Sequence, residues 1–383
     1  MRIVHVVTRL LRAGSEENTL ACCRWQAGAG HEVVLVHGAA ADPQVMRACP
    51  AGVRLVALPE LVHPIRPLAD ARALAALRRL YLRLRPDVIH THQSKAGVLG
   101  RLAADVVPRA RIIHGVHLLP WAHVSPLRRQ MYLVAERSVA PRTDAFLAVS
   151  EALCTAYVSA GIAPRERLHC VRSGMDLARF RGAGPPRDWP ALLRVPPGAP
   201  RPPVAVMLAA LEPRKRHVAF LRAFAAVRRL MPEMRLLLAG AGPEEVRIRH
   251  EVARLGLSNR VTLCGHRADP EALLALADLS ILTSEREGLP RVAVQSIAAG
   301  VPVLVNDLPG IGEVVRAGVN GSILPPRDAG AVAREMSRLS TDPQRLARLR
   351  QGAGASDLGA WALEWLGPET TALYGPAQTR AAA

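Results

Sequence analysis

Short apolar runs alternate with segments of helical period along nearly the whole chain, and this alternation constrains the fold more than any other feature of the sequence. Strands are expected at 3–8, 32–37, 54–58, 87–92, 111–117 and 145–150. Helical patterns lie between them. The clearest is 68–84, where Leu74, Leu77, Leu80, Tyr81 and Leu84 recur three or four residues apart. Strand, helix, strand in repeated succession calls for a parallel sheet covered on both faces.

The pattern stops near Phe180. Residues 181–203 hold eight prolines and no apolar period, and read as an extended linker because proline cannot donate to a strand ladder. Strands are expected again at 204–210, 234–239, 260–265, 279–283 and 301–306, with helices at 217–230, 244–255 and 270–277. The expected architecture is α/β: two doubly wound, Rossmann-like domains, 1–180 and 204–356, facing across a cleft. Segment 357–383 is expected to form a C-terminal helix, over 357–374, and a tail, with the helix packing back toward the first domain. Trp361 and Trp365, four positions apart, should share one buried face of that helix. A ligand site is expected in the cleft, at the carboxyl ends of the strands.

Charge and cysteine usage narrow the function classes. The net charge of +18 would ordinarily suggest nucleic acid, an anionic membrane or an anionic substrate. Yet 48 of the 50 basic residues are arginine, so the excess looks like compositional drift, and the two lysines, Lys95 and Lys215, stand out. Aromatic residues make up 3%, too few for stacking platforms, and no reader motif is present, so nucleic acid is not an expected partner. The six cysteines show no CxxC spacing and read as reduced thiols of a cytoplasmic chain. No run of 18 apolar residues exists, and Arg9 and Arg12 interrupt the first one, so neither a spanning helix nor a signal peptide is expected. Arg72, Arg78, Arg79, Arg83 and Arg85 dress one helix, and Arg128, Arg129, Arg137 and Arg142 follow. They fit either a solvated basic face or contact with an anionic membrane surface.

The segment SEREGLPRVAVQSIAAGVPV, residues 284–303, is the most informative in the chain. It follows an apolar strand, turns at Gly288–Leu289–Pro290 and opens a helix, with Pro290 suited to the first turn and Gly300 to the C-terminal cap. A helix that starts just after a strand turns its free N–H groups toward the ligand side. Glu287 sits at that mouth. Gln295 lies eight positions later on the helix, a little over two turns, and so is expected on roughly the same face, about 12 Å along.

This segment resembles the donor-site signature of family 4 glycosyltransferases, which have the two-domain GT-B fold: a Glu, then Gly-Leu-Pro, then a second Glu eight positions after the first. Glu287, Gly288 and Leu289 match, and Gln295 replaces the second Glu. The resemblance extends over most of the chain. DVIHTHQSKAGVLGRLAA, RIIHGVHLLP and VSEALCTAYVSAGIAPRERLHCVRSGMDLARF resemble the acceptor half. LAALEPRKRH, LAGAGPE and LCGHRADPEALLALADLSILTS follow in family order in the second half. It implies that Lys215 ends an Arg-x4-Lys clamp on the donor diphosphate, but the Arg position is Ala210, leaving Arg214 and Arg216 as candidates for the missing charge. Loop Ala13–Gly14–Ser15–Glu16 resembles the family's Gly-Gly-x-Glu, with Gly14 allowing close approach of a ligand. His117 matches the active-site His; His90, His92 and His114 read as structural.

The function implied is a retaining glycosyltransferase that moves a sugar from a UDP- or GDP-linked donor to a hydroxyl of a glycan or lipid-linked acceptor, in cell-surface polysaccharide or glycolipid synthesis. The catalytic candidates are His117 and Glu287. Gly14, Lys215, Gly288, Leu289 and Gln295 are the donor-binding candidates. No cofactor is expected, and no metal, because there is no Asp-x-Asp and the histidines lack a carboxylate or thiolate at ligand spacing. The place of action would be the cytoplasm or, peripherally, the inner face of the membrane. The departures at Ala210 and Gln295 leave a second reading, a weak or inactive sugar-nucleotide-binding protein.

Overall fold

The computed structural model describes residues 1–375. They form two compact units, one of Met1–Gly174 together with residues 361–375, the other Met175–Ala360; the tail expected at the end of segment 357–383 lies, from 376 on, outside the described residues. Unit 1 contains β1 (Arg2–Leu10), β2 (Glu32–Ala41), β3 (Val53–Ala57), β4 (Val88–His92), β5 (Arg111–Val116), β6 (Ala145–Ala148) and β7 (Leu168–Cys170). Unit 2 contains β8 (Val204–Leu208), β9 (Arg235–Ala239), β10 (Val261–Gly265), β11 (Leu279–Leu282), β12 (Val303–Asn306) and β13 (Gly321–Leu324).

Each unit is a parallel sheet wound in both directions from a central first strand, in the order β3-β2-β1-β4-β5-β6-β7 and β10-β9-β8-β11-β12-β13. The α/β, doubly wound reading therefore holds for both halves. The direction of winding reverses between β1 and β4 and between β8 and β11, so a crevice opens there at the carboxyl ends. The sequence does not announce β7 and β13, edge strands whose residues, Leu168-His169-Cys170 and Gly321-Ser322-Ile323-Leu324, make no apolar run.

Helix periodicity translated directly into packing. Helix Pro67–Leu84 turns Ala73, Leu77, Leu80, Tyr81 and Leu84 inward, as the spacing of its leucines predicts. In unit 2, helix His217–Val227 buries Phe220, Leu221 and Phe224 completely. Burial of side chains this size contributes about 1.5–3 kcal/mol each.

Two regions differ from expectation. Residues 181–203 are not an uninterrupted extended linker: Trp189–Leu193 form a helix, with Pro190 tolerated in its first turn. The helix is tied to the sheet of unit 2 by Thr262 Oγ1 on the Leu192 carbonyl (2.7 Å) and Arg235 Nε on that of Leu193 (3.2 Å). Helix Leu177–Arg181 also packs in unit 2, where Arg179 meets Glu271 at 2.7 Å. At the other end, Trp361 lies in a turn before helix Leu363–Ala372, so helical spacing does not relate it to Trp365. Trp361 is buried under the Arg172 guanidinium, whereas Trp365 is 52% exposed. The face that this helix buries is Leu366, Gly367 and Thr370, with Gly367 against the Trp25 ring of helix Gly14–Gly28.

Candidate functional site

Several of the sequence-selected residues lie on the loops that follow the strands at the reversal points, in each unit separately. In unit 2, β8 leads into a loop and then the turn Pro213–Lys215, and β11 leads into the loop that carries Glu287. Glu287 lies between two cations: Arg214 Nη1 donates to Oε2 at 3.0 Å, and Lys215 Nζ donates to Oε1. Its side chain and that of Lys215 are each 12% exposed. Burial alone would raise the Glu287 carboxyl, but the Lys215 and Arg214 charges, with a hydrogen bond from Ser284, hold it below the ordinary range. Backbone bonds fix the frame. Glu285 N donates to the Arg214 carbonyl at 2.8 Å, and Thr283 Oγ1 to that of Lys215 at 2.9 Å.

Arg216 does not join this group. It adopts a left-handed conformation (φ 59°) and its guanidinium donates to the Arg327 carbonyl. Of the two candidates for the charge missing at Ala210, Arg214 is therefore the one in contact with Glu287. The Ala210 loop is pressed against the loop after β9: a Cβ on Gly240 would sit 2.0 Å from the Ala209 carbonyl oxygen, so only glycine fits.

Gln295 lies partly exposed on helix Arg291–Ala298, which begins after Glu287. The 12 Å helical separation thus does not apply, because Glu287 is on the preceding loop and Pro290 is the cap. Gly288 and Leu289 are buried in that loop. His217, which sequence reasoning passed over, follows the clamp directly; it is 3% exposed with neither ring nitrogen hydrogen-bonded, and burial lowers it to about 4. A buried ring beside the Lys215 charge leaves no signal in the sequence.

In unit 1, Gly14 opens helix Gly14–Gly28 after β1. Glu16 is 2% exposed and its carboxyl is raised by burial, against hydrogen bonds from Ser15 and Gln93. Gln93 Nε2 reaches Ser15 Oγ at 2.8 Å. Gln93 itself, at the end of β4, has φ 63° and ψ 176°, a region almost confined to glycine. Holding it there costs about 1–3 kcal/mol, which marks a site under constraint. Nothing in its sequence neighbourhood announces that strain.

His117, partly buried, follows β5 and pairs through Nε2 with His92 Nδ1 at 3.1 Å. Among the described residues, His5, His90 and His92 form the group whose ring nitrogens lie within 4.8 Å of one another, as a metal ion would need. His5 Nδ1 and His92 Nε2 are already hydrogen-bonded to each other at 3.0 Å, and the group contains no carboxylate or thiolate. His5 was absent from the sequence-level cluster; the β1–β4 register sets it beside His90. No described helix is long and apolar enough to cross a membrane.

Comparison with known proteins shows the family and the fold. Residues 193–355 match the family model "Glycosyl transferases group 1", and residues 13–174 match "Glycosyl transferase 4-like domain". The chain is 28% identical over 274 residues to a putative glycosyltransferase EpsD of Bacillus subtilis, covering 69% of this chain and 70% of that one. It is 25% identical over 307 residues, 76% of each chain, to the UDP-Gal:alpha-D-GlcNAc-diphosphoundecaprenol alpha-1,3-galactosyltransferase of Escherichia coli. In fold it is similar to Anabaena HepE, solved in complex with UDP and glucose: TM-score 0.80, 23% identity, 97% of this chain and 98% of that one.

Proposed function

The chain belongs to the group 1, family 4-like glycosyltransferases, and on that premise we propose that it transfers a sugar, with retention, from a nucleoside-diphosphate donor to a hydroxyl of a glycan or lipid-linked acceptor. The observation that carries the reading is the Arg214–Lys215–Glu287 cluster at the β8/β11 reversal point. Departure of a nucleoside diphosphate develops negative charge on the β-phosphate oxygens, and two preorganised cations stabilise it where it forms. Glu287 aims both cations and faces the transferred sugar. Arg214 supplies the charge that Ala210 lacks. Gly288 and Leu289 shape the loop, and Gln295 accepts from a donor ribose hydroxyl. In unit 1, Gly14 lets the first loop approach the donor, and His117 binds the transferred sugar.

A UDP donor is supported by two of the relatives, one whose name specifies UDP-Gal and one solved with UDP. Turnover of a panel of UDP- and GDP-sugars by the purified protein tests the reading. Robust transfer from one donor establishes it; binding without turnover across all donors and acceptors would favour an inactive binder, the alternative that Ala210 and Gln295 suggest. Lys215→Ala is expected to weaken UDP binding by about 1.5–3 kcal/mol, the scale of a charge-assisted hydrogen bond. Calorimetric titration checks this, and an unchanged affinity would remove Lys215 from the clamp. We also propose that transfer needs no divalent ion, so activity is expected to survive EDTA; loss restored by manganese or magnesium would contradict it.

An acceptor carried on a membrane fits the surface of unit 1. Helix Pro126–Val139 exposes Leu127 (83%), Met131 (43%) and Val134 (53%) at i, i+4 and i+7, with Arg128 and Arg129 beside them in solvent. Arg137, by contrast, is committed to the Ala160 carbonyl. An apolar stripe flanked by exposed arginines suits the interface of an anionic bilayer, and we place the enzyme at the inner face of the membrane. Binding to anionic vesicles is expected to fall with salt and to be lost in Leu127→Glu. Equal sedimentation with neutral and anionic vesicles would refute it.

A further inference from the structure

We infer that a buried chain of hydrogen bonds, His117–His92–His5–Gln26, fixes His117 in the tautomer protonated on Nε2, so that His117 meets its ligand through Nδ1 as a hydrogen-bond acceptor. The inference rests on the proposed role of His117 in binding the transferred sugar. It makes His92, His5 and Gln26 positioning residues, of which none touches the ligand.

The chain is continuous. His117 Nε2 lies 3.1 Å from His92 Nδ1, His92 Nε2 lies 3.0 Å from His5 Nδ1, and His5 Nε2 lies 2.8 Å from Gln26 Oε1. His5 and Gln26 are fully buried and His92 is 3% exposed. Burial holds the three imidazoles below their ordinary range, so each is neutral near pH 7 and offers one donor and one acceptor nitrogen. In such a series the direction of one bond dictates the direction of all.

Gln26 sets that direction. Its amide nitrogen faces two hydroxyls, Thr371 Oγ1 at 3.3 Å and Tyr374 OH at 3.2 Å, while its amide oxygen faces His5. In this orientation both amide hydrogens have acceptors. Rotated by half a turn, the amide would keep one hydrogen without an acceptor in a fully buried position. His5 therefore donates through Nε2 and accepts through Nδ1. His92 then donates through Nε2 and accepts through Nδ1 from His117 Nε2–H. Tyr374 completes the support, with its hydroxyl 2.5 Å from His90 Nδ1. Gly115 leaves the room required, since a Cβ there would lie 2.9 Å from His92 Nδ1 and 3.1 Å from His117 Nε2.

The consequence is a preference in ligand chemistry. A His117 that accepts selects a hydroxyl, which can donate, over an anionic oxygen, which cannot.

The test uses the full-length protein labelled with ¹⁵N-histidine. Nitrogen–nitrogen couplings across the His117–His92 and His92–His5 bonds, with protonated Nε2 on all three rings, are expected. A missing pair of couplings, or a His117 protonated on Nδ1, would overturn the chain. Kinetics supply an arm that a packing role would not reproduce. Gln26→Met removes the terminal acceptor and is expected to lower kcat/KM roughly three- to tenfold. Gln26→Glu, which keeps an oxygen that can accept from His5 Nε2, should restore it. A Met variant as active as wild type would overturn the role of Gln26 as the terminal acceptor. Gly115→Ala, which substitutes no histidine but crowds His92 and His117, should abolish the His117–His92 coupling and lower kcat/KM together. A stoichiometric divalent ion in the purified protein, lost on His90→Gln, would also overturn the chain, because the ion would occupy nitrogens that the chain uses. His117→Ala with unchanged turnover would instead overturn the role of His117, while the couplings would still report the chain itself.

Discussion

Glu287→Gln is expected to lower kcat by a factor of about 10²–10³, the scale found when one preorganised electrostatic group is removed from an active site. The substitution preserves shape and removes charge. Arg214 and Lys215 then share a neutral amide that can accept on one side only, and two like charges face each other in a largely buried site. The same change is expected to destabilise unit 2 by about 3 kcal/mol near neutral pH, as for a buried pair broken on one side. The pH dependence has a definite sign. The Glu287 carboxyl is depressed in the folded protein, so its contribution is complete above the ordinary value of 4.5 and fades as pH falls through the lower folded value. The stability gap between wild type and Glu287→Gln should therefore narrow on acidification below that point. Urea denaturation at several pH values and steady-state kinetics check both parts; a gap that widens toward acid would contradict the depressed carboxyl.

Arg101→Met carries the largest expected effect on stability. Arg101 is completely buried in helix Ser94–Ala103, and its guanidinium bonds Glu136 (2.6 Å), the Gly97 carbonyl (2.8 Å) and Thr143 (3.4 Å). Removing it leaves Glu136, 2% exposed, as an uncompensated buried charge. The expected cost is about 3–5 kcal/mol. Arg101→Met combined with Glu136→Leu should recover much of that loss, because an apolar pair replaces the ion pair without leaving either charge alone. A single variant that loses less than 1 kcal/mol in its urea transition would show that the pair is not stabilising unit 1.

Arg101 also shows where sequence reasoning stops. Among 48 arginines it has no distinguishing neighbour, and arginine excess reads naturally as surface charge. Lys215 was legible because lysine is rare here, and Glu287 because Gly-Leu-Pro follows it. The arginine that meets Glu287 was not legible: Arg214 and Arg216 flank Lys215 equally in sequence, and a single left-handed residue sends Arg216 elsewhere. The Trp361 and Trp365 pairing failed for a related reason, since a four-residue spacing is meaningful only inside one helix, and the helix starts at Leu363.

What the sequence determined by itself was the doubly wound α/β architecture in both halves and the burying face of its clearer helices. Those follow from periods of two and 3.6 residues and from turn residues, properties written into a few consecutive positions. What only the tertiary structure decided was partnership: Glu287 with Arg214, Arg101 with Glu136, and His117 with His92, His5 and Gln26. His5 and His92 are 87 positions apart and meet because β1 and β4 are neighbours in the sheet. A hydrogen bond depends on register and rotamer to within a few tenths of an ångström, and neither is encoded locally; both arise only when the sheet has assembled and buried polar groups are satisfied by the neighbours that the fold brings to them.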